Sequence, residues 1–220
     1  MTDSGVALFD FDGTLLKGDS IAAYIRFCVR VGFAPPVTLL RALRAYGRYA
    51  FGRATALHAK EASLAFLKGH SVRDARDAAE RFYDRVIKKR LFHGTLQEMN
   101  RCLAEGMTVL IVTASPDVYM EVIAQALGAA GVIATRCAVD AQGFYTGKLA
   151  SANCSGREKT RRVEAYFLEH HIRFDVTLSR GYGNSLGDLP MLQMTRHPVW
   201  VNAKAATARK APDFKRVTWK

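Results

Sequence analysis

The stretch VALFDFDGTLLKGDS, Val6 to Ser20, decides the fold of this chain. It begins with four consecutive apolar residues, a pattern typical of a strand buried on both faces of a parallel sheet. Asp10 and Asp12 follow directly, and Gly13 then lets the backbone turn. Because residues i and i+2 project from one face of a strand, we expect both carboxylates to point into the crevice where open α/β sheets bind ligands.

Two neighbouring carboxylates repel each other unless a cation lies between them, and oxygen ligands at a partly open site suit Mg2+. The alternative is that Asp10 and Asp12 only cap a turn. The other polar segments of the chain must decide between these interpretations.

The composition predicts a soluble globular protein. The chain has 220 residues, of which 49% are hydrophobic, enough for one sizeable core. No apolar run approaches the roughly 18 residues that span a bilayer, and the N-terminal MTDSG lacks a secretory-signal pattern, so we expect a cytoplasmic protein. The four cysteines and six histidines show no metal-ligand spacing.

The positive charge of the chain is unevenly distributed. The formal net charge is +12, and no acidic residue lies between Ser20 and Lys60. Within that segment, VTLLRALRAYGRYAF predicts a basic amphipathic helix with Leu39, Leu43 and Tyr46 on one stripe. This face could be a solvated surface, attract small anionic substrates, or lie on anionic phospholipid. Nucleic-acid binding is less favoured, because the segment contains no recognition motif.

The order of the predicted elements indicates an α/β fold, a doubly wound parallel sheet. Signals from Ile21 to about Phe92 are helical, whereas strands and helices alternate after Gly94. The later elements include a hairpin around VDAQGFYTGKL, a helix from about Gly156 to His170 and a strand at DVTLSRGY. We therefore predict a core formed by residues 1–16 and 94–220, interrupted by an all-helical cap at residues 17–93.

Two further segments place polar side chains at predicted strand ends. LIVTAS brings Thr113 to the end of a strand, before a helix with Ser115 as N-cap and Pro116 at its first position. A helix N-terminus favours phosphate, although such junctions are also common capping arrangements. In CSGREKTRR, Ser155 and Glu158 have the spacing of a capping box.

That capping box would place Lys159 in the first turn of its helix, where a cation can neutralise a carboxylate and a phosphoryl oxygen together. The alternative is one more solvated lysine. In GYGNSLGDLPML, Asn184 and Asp188 supply oxygen ligands that could complete a Mg2+ shell, although Asp188 could instead cap the following helix.

Together, DFDGT, VTAS, GREK and GNSLGD resemble the four motifs of the haloacid dehalogenase (HAD) superfamily of phosphohydrolases. The resemblance covers nearly the whole chain. Its closer form is the phosphoserine-phosphatase-like subclass IB, in which a helical cap follows the first motif. NCSGREK and the GYxxS pattern from Gly181 to Ser185 are also similar to phosphatidylglycerophosphatase C-type members. The resemblance implies a Rossmann-like core.

The resemblance also implies a role for each motif residue. Asp10 would be the nucleophile that forms an aspartyl-phosphate, and Asp12 the general acid and base. Thr113 and Ala114 would bind a phosphoryl oxygen, and Lys159 would hold the nucleophile and offset charge.

Four residues would hold the cofactor Mg2+: Asp10, Asp12, Asn184 and Asp188. Asn184 departs from the subclass, which usually carries an acid there, and this departure predicts either weaker metal binding or a larger share of the ligation for Asp188. Asp19 and Ser20 are candidates for substrate contact, with a helix N-cap as the alternative role.

The sequence therefore predicts a Mg2+-dependent phosphomonoester hydrolase. The arginine-rich segment favours a phospholipid phosphate or another bulky anionic phosphate ester, with peripheral contact at the inner face of an anionic membrane. One alternative is a phosphatase for a small metabolite such as phosphoserine. The other is a HAD-like binding protein whose chemistry Asn184 has weakened.

Overall fold

The strands form one main sheet and one hairpin. The computed structural model describes residues 5–220, so most of the MTDSG stretch lies outside the described residues. The eight strands are β1 (Val6–Phe9), β2 (Thr108–Pro116), β3 (Gly131–Thr135), β4 (Cys137–Val139), β5 (Tyr145–Leu149), β6 (Arg180–Gly183), β7 (His197–Val201) and β8 (Lys215–Val217). Six of them pair in parallel in the order β3-β2-β1-β6-β7-β8, and β4 and β5 form an antiparallel hairpin.

Within residues 5–220, five α-helices lie between β1 and β2, and four more follow β2. They are α1 (Ser20–Arg30), α2 (Val37–Ala50), α3 (Ala56–Leu64), α4 (Val72–Phe82), α5 (His93–Ala104), α6 (Asp117–Ala126), α7 (Arg157–Glu169), α8 (Leu189–Gln193) and α9 (Ala205–Ala208). None of the helices within residues 5–220 is long and apolar enough to cross a membrane. The strand and helix alternation after α5 confirms the predicted α/β fold with its parallel sheet.

Helices cover both faces of the sheet, because the side chains of each strand alternate between two apolar clusters. In β1, Val6 and Leu8 pack in the cluster that includes α7 and α8. Ala7 and Phe9 pack in the larger cluster that includes α1, α4, α5 and α6. All four side chains are fully buried, which explains the continuous apolar run.

The strand order reverses at β1, and this reversal positions the site. β1 pairs with β2 on one side and with β6 on the other, and the chain continues outward in both directions. Such a switch point opens a crevice at the carboxyl ends of the strands. Asp10 stands at that end of β1, where its backbone N–H donates to the carbonyl of Tyr182 at 2.9 Å.

The helices after β1 share the larger apolar cluster with the sheet. The ring of Tyr24 in α1 lies 5.1 Å from Phe82 in α4 and 4.7 Å from Tyr119 in α6, measured between ring centroids. These aromatic contacts bury a large apolar area between α1, α4 and α6. The division into a core and a cap at residues 17–93 stays a prediction, because one continuous cluster joins the two regions.

Three predicted local features are wrong. β2 continues through Pro116, which pairs with Thr135 of β3 beyond an irregularity in register, so Ser115 lies in the strand and does not cap α6. Pro116 itself occupies the N-cap position instead of the first helical position. The strand predicted from DVTLSRGY begins only at Arg180, because Val176–Leu178 form a turn of 3-10 helix.

Candidate active site

A buried lysine joins two carboxylates at the centre of the crevice. Lys159 Nζ donates to Asp10 Oδ1 at 2.7 Å, to Asp188 Oδ1 at 2.6 Å and to the carbonyl of Val112 at 2.7 Å. The lysine side chain is only 1% exposed. All three of its protons are therefore used, and this argues against a solvated lysine.

The charges of this cluster depend on one another. Burial, followed by the charge of Asp188, raises the pKa of Asp10 to about 7, although Lys159 acts in the opposite direction. Burial alone would raise the pKa of Asp188 as well, but Lys159 and Ser185 hold that pKa below its usual 3.8. For Lys159 burial favours the neutral amine, but Asp10 and Asp188 outweigh it and raise the pKa.

The loop after β6 holds the second carboxylate in place. Asp188 Oδ2 accepts hydrogen bonds from the backbone N–H of Asn184 at 3.1 Å and from the backbone N–H and hydroxyl of Ser185 at 2.9 and 2.8 Å. Asp188 stands at the N-cap position of α8, but its side chain makes no capping hydrogen bond. Its carboxylate instead connects the loop to Lys159.

The side chain of Asn184 lies against the turn that follows Asp12. A Cβ atom at Gly13 would approach Asn184 Nδ2 to 1.8 Å, and Gly13 adopts a φ of +82°. Both facts require glycine at this position, because an L side chain there would be strained and would displace the amide. The glycine of DFDGT thus lets the fourth motif approach the first.

A hydroxyl network surrounds the other aspartate. Asp12 Oδ1 accepts from the backbone N–H of Ser20 at 2.6 Å, and its Oδ2 accepts from the hydroxyls of Ser20 and Ser115. The Ser20 hydroxyl also lies 2.9 Å from the hydroxyl of Tyr119. Thr113 Oγ1 accepts from the backbone N–H of Ser115 at 3.0 Å, which joins the second motif to this network.

Asp10 and Asp12 therefore have different partners, although they lie two residues apart. Thr14 Oγ1 donates to Asp10 Oδ2 at 3.0 Å, whereas none of the Asp12 contacts involves Thr14 or Lys159. Burial raises the pKa of Asp12 to about 6, against the opposing hydrogen bond from Ser115. We expected both carboxylates to project from one face of a strand. The strand ends at Phe9, before either aspartate, so this alternation does not set their directions.

The two residues proposed for substrate contact differ in position. Ser20 is fully buried and bonded to Asp12, as described above. Asp19 is exposed and acts as the N-cap of α1, where its Oδ1 accepts from the backbone N–H of Ala22 at 2.8 Å. The N-cap alternative thus describes what Asp19 does in this structure.

Lys60 is a site residue that the sequence analysis missed. It projects from α3 and donates to the carbonyl of Ala114 and to Oδ1 of Asn153 in two short hydrogen bonds. The hydroxyl of Thr135 donates to the same carbonyl at 2.7 Å. Burial lowers the pKa of Lys60 to about 8, partly offset by Asp12. Its only sequence signal is its position as the last cation before Glu61, which cannot reveal a contact 54 residues away.

The start of α7 differs from the predicted capping box. Gly156, with a φ of 61°, occupies the N-cap position, and no side chain caps the helix. Glu158 instead pairs with Arg161 at 2.6 Å and Arg162 at 2.7 Å. Lys159 nevertheless lies in the first turn, as expected, because the helix begins at Arg157.

Carboxylates, a buried cation and hydroxyl groups thus meet at the carboxyl ends of β1, β2 and β6. Six predicted residues converge here, namely Asp10, Asp12, Thr113, Lys159, Asn184 and Asp188. Ala114 and Ser20 belong to the same network, whereas Asp19 remains at the surface. Such a cluster can present a nucleophilic carboxylate next to a second acid and a fixed positive charge.

Comparison with known proteins agrees with this geometry. The family model described as haloacid dehalogenase-like hydrolase matches residues 7–193. Protein CicA of Caulobacter vibrioides is 33% identical over 184 residues, which cover 84% of this chain and 80% of CicA. Phosphoserine phosphatase SerB1 of Mycobacterium tuberculosis is 28% identical over 208 residues, which cover 92% of this chain and 66% of that protein.

Among solved structures, a protein of unknown function from Bordetella pertussis Tohama I has the same fold. It superposes with a TM-score of 0.87 at 28% sequence identity, covering 98% of this chain and 99% of the other. The agreement extends through the helices after β1 as well as the sheet, because it covers almost the entire length of both chains.

Proposed function

Because this chain belongs to the haloacid dehalogenase-like hydrolase family, we propose that it is a Mg2+-dependent phosphatase that acts through an aspartyl-phosphate. The observation that carries the proposal is the environment of Asp10. This carboxylate is buried at the end of the central strand, held by Lys159 at 2.7 Å, and followed two residues later by a second acid. That combination suits a nucleophile with a general acid beside it.

In the first step, a carboxylate oxygen of Asp10 attacks the phosphorus of a monoester, and the bond between phosphorus and the alcohol oxygen breaks. Asp12 donates a proton to the leaving alkoxide. Ser20 and Ser115 hold the Asp12 carboxylate for this transfer. Lys159 keeps a positive charge at the reacting oxygens while negative charge develops on the phosphoryl group.

In the second step, water attacks the phosphorus of the aspartyl-phosphate. Asp12, now ionised, accepts a proton from that water, and the bond to Asp10 breaks to release inorganic phosphate. Thr113 would bind a phosphoryl oxygen together with the backbone at Ala114. Its Oγ1 accepts from Ser115, and within residues 5–220 its own O–H has no hydrogen-bond acceptor, so that proton is free to donate.

The donor set fits Mg2+. The oxygens available are the carboxylates of Asp10 and Asp188, the main-chain carbonyl of Asp12 and the amide of Asn184, all hard ligands. The close approach of Asn184 to Gly13 places this amide next to the first motif. When bound, Mg2+ would supply Lewis-acid polarisation of the phosphoryl group.

The described residues contain no group of three His, Cys, Asp or Glu side chains arranged for a metal. The proposed set relies instead on a backbone oxygen and an amide. An amide carries no full charge, so we propose that this chain binds Mg2+ more weakly than a site with an acid at position 184.

Two substrate classes remain within the proposal. SerB1 is named a phosphoserine phosphatase, which supports a small phosphorylated metabolite. The arginine-rich α2 supports a phospholipid phosphate or another bulky anionic phosphate ester.

We place the enzyme in the cytoplasm, with any membrane contact peripheral. The four cysteines support a reducing compartment, because all are free and buried.

The test is hydrolysis of p-nitrophenyl phosphate with Mg2+. Asp10→Asn should lower kcat by at least about 1,000-fold, because the amide cannot form the acyl-phosphate. Protein quenched in acid during turnover should carry a hydroxylamine-labile phosphate, and EDTA should stop the reaction. Asp84→Asn, which removes an exposed carboxylate, is the matched control and should retain activity.

A wild-type protein that binds phosphate esters without turnover would support the alternative of a weakened binding protein, for which Asn184 is the specific argument. Turnover that Asp10→Asn leaves unchanged would reject Asp10 as the nucleophile. A panel of soluble phosphate esters and phospholipid phosphates, assayed with and without Mg2+, then separates the two substrate classes.

A further inference from the structure

Helix α2 turns its large apolar side chains toward solvent. Thr38 and Ala45 are its only buried residues, so the helix contacts the rest of the protein through small side chains. Seven large apolar residues in or beside it are exposed, from 41% at Leu39 to 80% at Phe51: Val37, Leu39, Leu40, Leu43, Tyr46, Tyr49 and Phe51. Exposed apolar residues clustered in this way mark an interaction site more often than a solvated face.

Arginines line the same helix. We define the α2 surface as the seven apolar residues together with Arg41, Arg44, Arg48 and Arg53. Within residues 5–220, none of these arginines forms an ion pair, and none of their guanidinium groups makes a hydrogen bond. Acidic residues three or four positions away would stabilise an arginine-rich helix in solvent, but the segment from Ser20 to Lys60 has no acid.

Three of the large apolar side chains and three of the arginines occupy different sides of α2, whereas Val37 and Leu40 fall on the arginine side. At about 100° per residue, Leu39, Leu43 and Tyr46 fall on one stripe and Arg41, Arg44 and Arg48 on the opposite flank. The buried Thr38 and Ala45 lie between them, where α2 packs against α1 and α3. A helix whose exposed surface combines apolar side chains with cations suits a membrane interface.

We propose that the α2 surface binds the anionic phospholipid surface of a membrane. A second copy of this chain fits poorly, because a symmetric contact would place the arginines of one α2 surface against those of the other without any acid. A nucleic acid would pair with the arginines but leave Leu43 and Phe51 exposed. An anionic bilayer accepts both sets, since headgroups pair with the arginines while the apolar side chains enter the interface.

Membrane binding by this surface does not require the proposed reaction. Its position does connect it to the site, because α2 packs against α3, and Lys60 of α3 donates to the carbonyl of Ala114. A bilayer in contact with α2 would therefore be separated from Lys60 and Ala114 by α3 alone. This arrangement would bring membrane-borne phosphate esters close to the site.

The test is sedimentation with vesicles of equal parts phosphatidylglycerol and phosphatidylcholine at low salt. Wild-type protein should sediment with these vesicles, but not with pure phosphatidylcholine, and high salt should release it. Arg41→Gln/Arg44→Gln should weaken binding about 30-fold, from the loss of two surface charges. Leu43→Ser/Phe51→Ser should weaken it at least about tenfold, from the loss of apolar insertion.

Matched controls remove the same groups elsewhere. Arg209→Gln/Lys210→Gln removes two exposed cations beside α9, and Leu168→Ser removes a leucine of α7 that is 78% exposed. Both controls should bind vesicles like the wild type. Hydrolysis of p-nitrophenyl phosphate by all four variants should be unchanged, and this also shows that each variant is folded.

Failure of the wild type to sediment with anionic vesicles overturns the inference, as does an equal loss of binding in the controls. A dimer that Leu43→Ser/Phe51→Ser dissociates would assign the surface to a second copy and overturn it too. The inference would also be overturned if the wild type bound a DNA duplex more tightly than anionic vesicles and Arg41→Gln/Arg44→Gln abolished that binding. Hydrolysis without vesicle binding rejects this inference alone, whereas vesicle binding without hydrolysis rejects the proposed function alone.

Discussion

Lys159 and Asp10 form an ion pair inside the protein, with 2.7 Å between Nζ and Oδ1 and side-chain exposures of 1% and 9%. The lysine comes from α7 and the aspartate from the end of β1, 149 residues apart in the chain. A buried charge without a partner destabilises the folded state. The removal of either member of this pair should therefore lower the free energy of unfolding.

Lys159→Met should destabilise the protein by roughly 3–5 kcal/mol, because Asp10 and Asp188 would remain buried without their cation. Urea unfolding in EDTA measures this loss. Mg2+ should restore part of the lost free energy of unfolding, since a divalent ion would neutralise the negative charges of Asp10 and Asp188. Lys210→Met, which removes an exposed cation, should change stability by less than about 0.5 kcal/mol. Equal effects of the two substitutions would contradict the central role of Lys159.

Gly13→Ala should weaken Mg2+ binding about tenfold, because the new Cβ would displace the Asn184 amide, now 1.8 Å from that position. The Mg2+ concentration that gives half-maximal activity is the measurement. Gly32→Ala provides the control, since Gly32 also has a positive φ, +75°, but nothing within 4 Å of the added atom. Both variants should share the backbone strain, and only Gly13→Ala should alter the metal requirement.

Asn184→Asp should lower the Mg2+ concentration needed for half-maximal activity by about tenfold, because a carboxylate adds a full negative charge to the proposed ligands. A Mg2+ titration of p-nitrophenyl phosphate hydrolysis measures the change. Asn100→Asp adds the same charge at an exposed position of α5 and should leave the titration unchanged. No improvement with Asn184→Asp would remove this residue from the proposed ligand set.

Lys60→Met should raise KM by about tenfold with a smaller effect on kcat, because a cation at the edge of the crevice attracts anionic substrate. The pKa of about 8 sets the pH dependence. Below pH 8 the amine is charged, and the difference in KM between wild type and variant should be at its largest. Above pH 8 the amine loses its charge, and this difference should shrink. Lys89→Met, an exposed control, should behave like the wild type. A difference that persists at pH 10 would show that the charge is not the cause.

Glu158→Gln should lower the free energy of unfolding by about 1–2 kcal/mol at pH 7, after allowance for its partial exposure. Hydrogen bonds from Arg161 and then Arg162 lower the pKa of Glu158 from 4.5 to about 2. The carboxylate therefore stabilises the fold fully above pH 4.5, and that contribution is lost as the pH falls through 2. Urea unfolding between pH 7 and pH 3 should show the difference shrinking.

Glu164→Gln on the exposed side of the same helix is the control and should have little effect at any pH. A Glu158→Gln penalty that stays constant with pH would contradict the role of the charge, since Gln retains the shape of the side chain and removes only its charge.

Local patterns were enough to predict much of the fold. The apolar run before Asp10 predicted β1, and the alternation of strands and helices after Gly94 predicted the parallel sheet. The hairpin around VDAQGFYTGKL and the helix from about Gly156 to His170 were also predicted. These signals are local because apolar periodicity and turn residues act within a few positions of the chain.

The boundaries near the site could not be predicted in the same way. β2 extends to Pro116 because that residue pairs with Thr135 of another strand, so the start of α6 depends on a partner 19 residues later. Gly156 replaces Ser155 as the N-cap of α7, while Glu158 is engaged by Arg161 and Arg162. In both cases the preference of a local motif was weaker than contacts made elsewhere in the fold.

The sequence by itself determined which chemical groups stand at the strand ends: the aspartates of DFDGT, the lysine of GREK and the polar loop GNSLGD. Only the tertiary structure decided how they are used. It directed Asp10 to Lys159 and Asp12 to Ser20 and Ser115, brought Lys60 into the site, and left the leucines of α2 exposed. The physical reason is that residue type is local, whereas partnership and burial depend on segments that meet only when the sheet and its helices assemble.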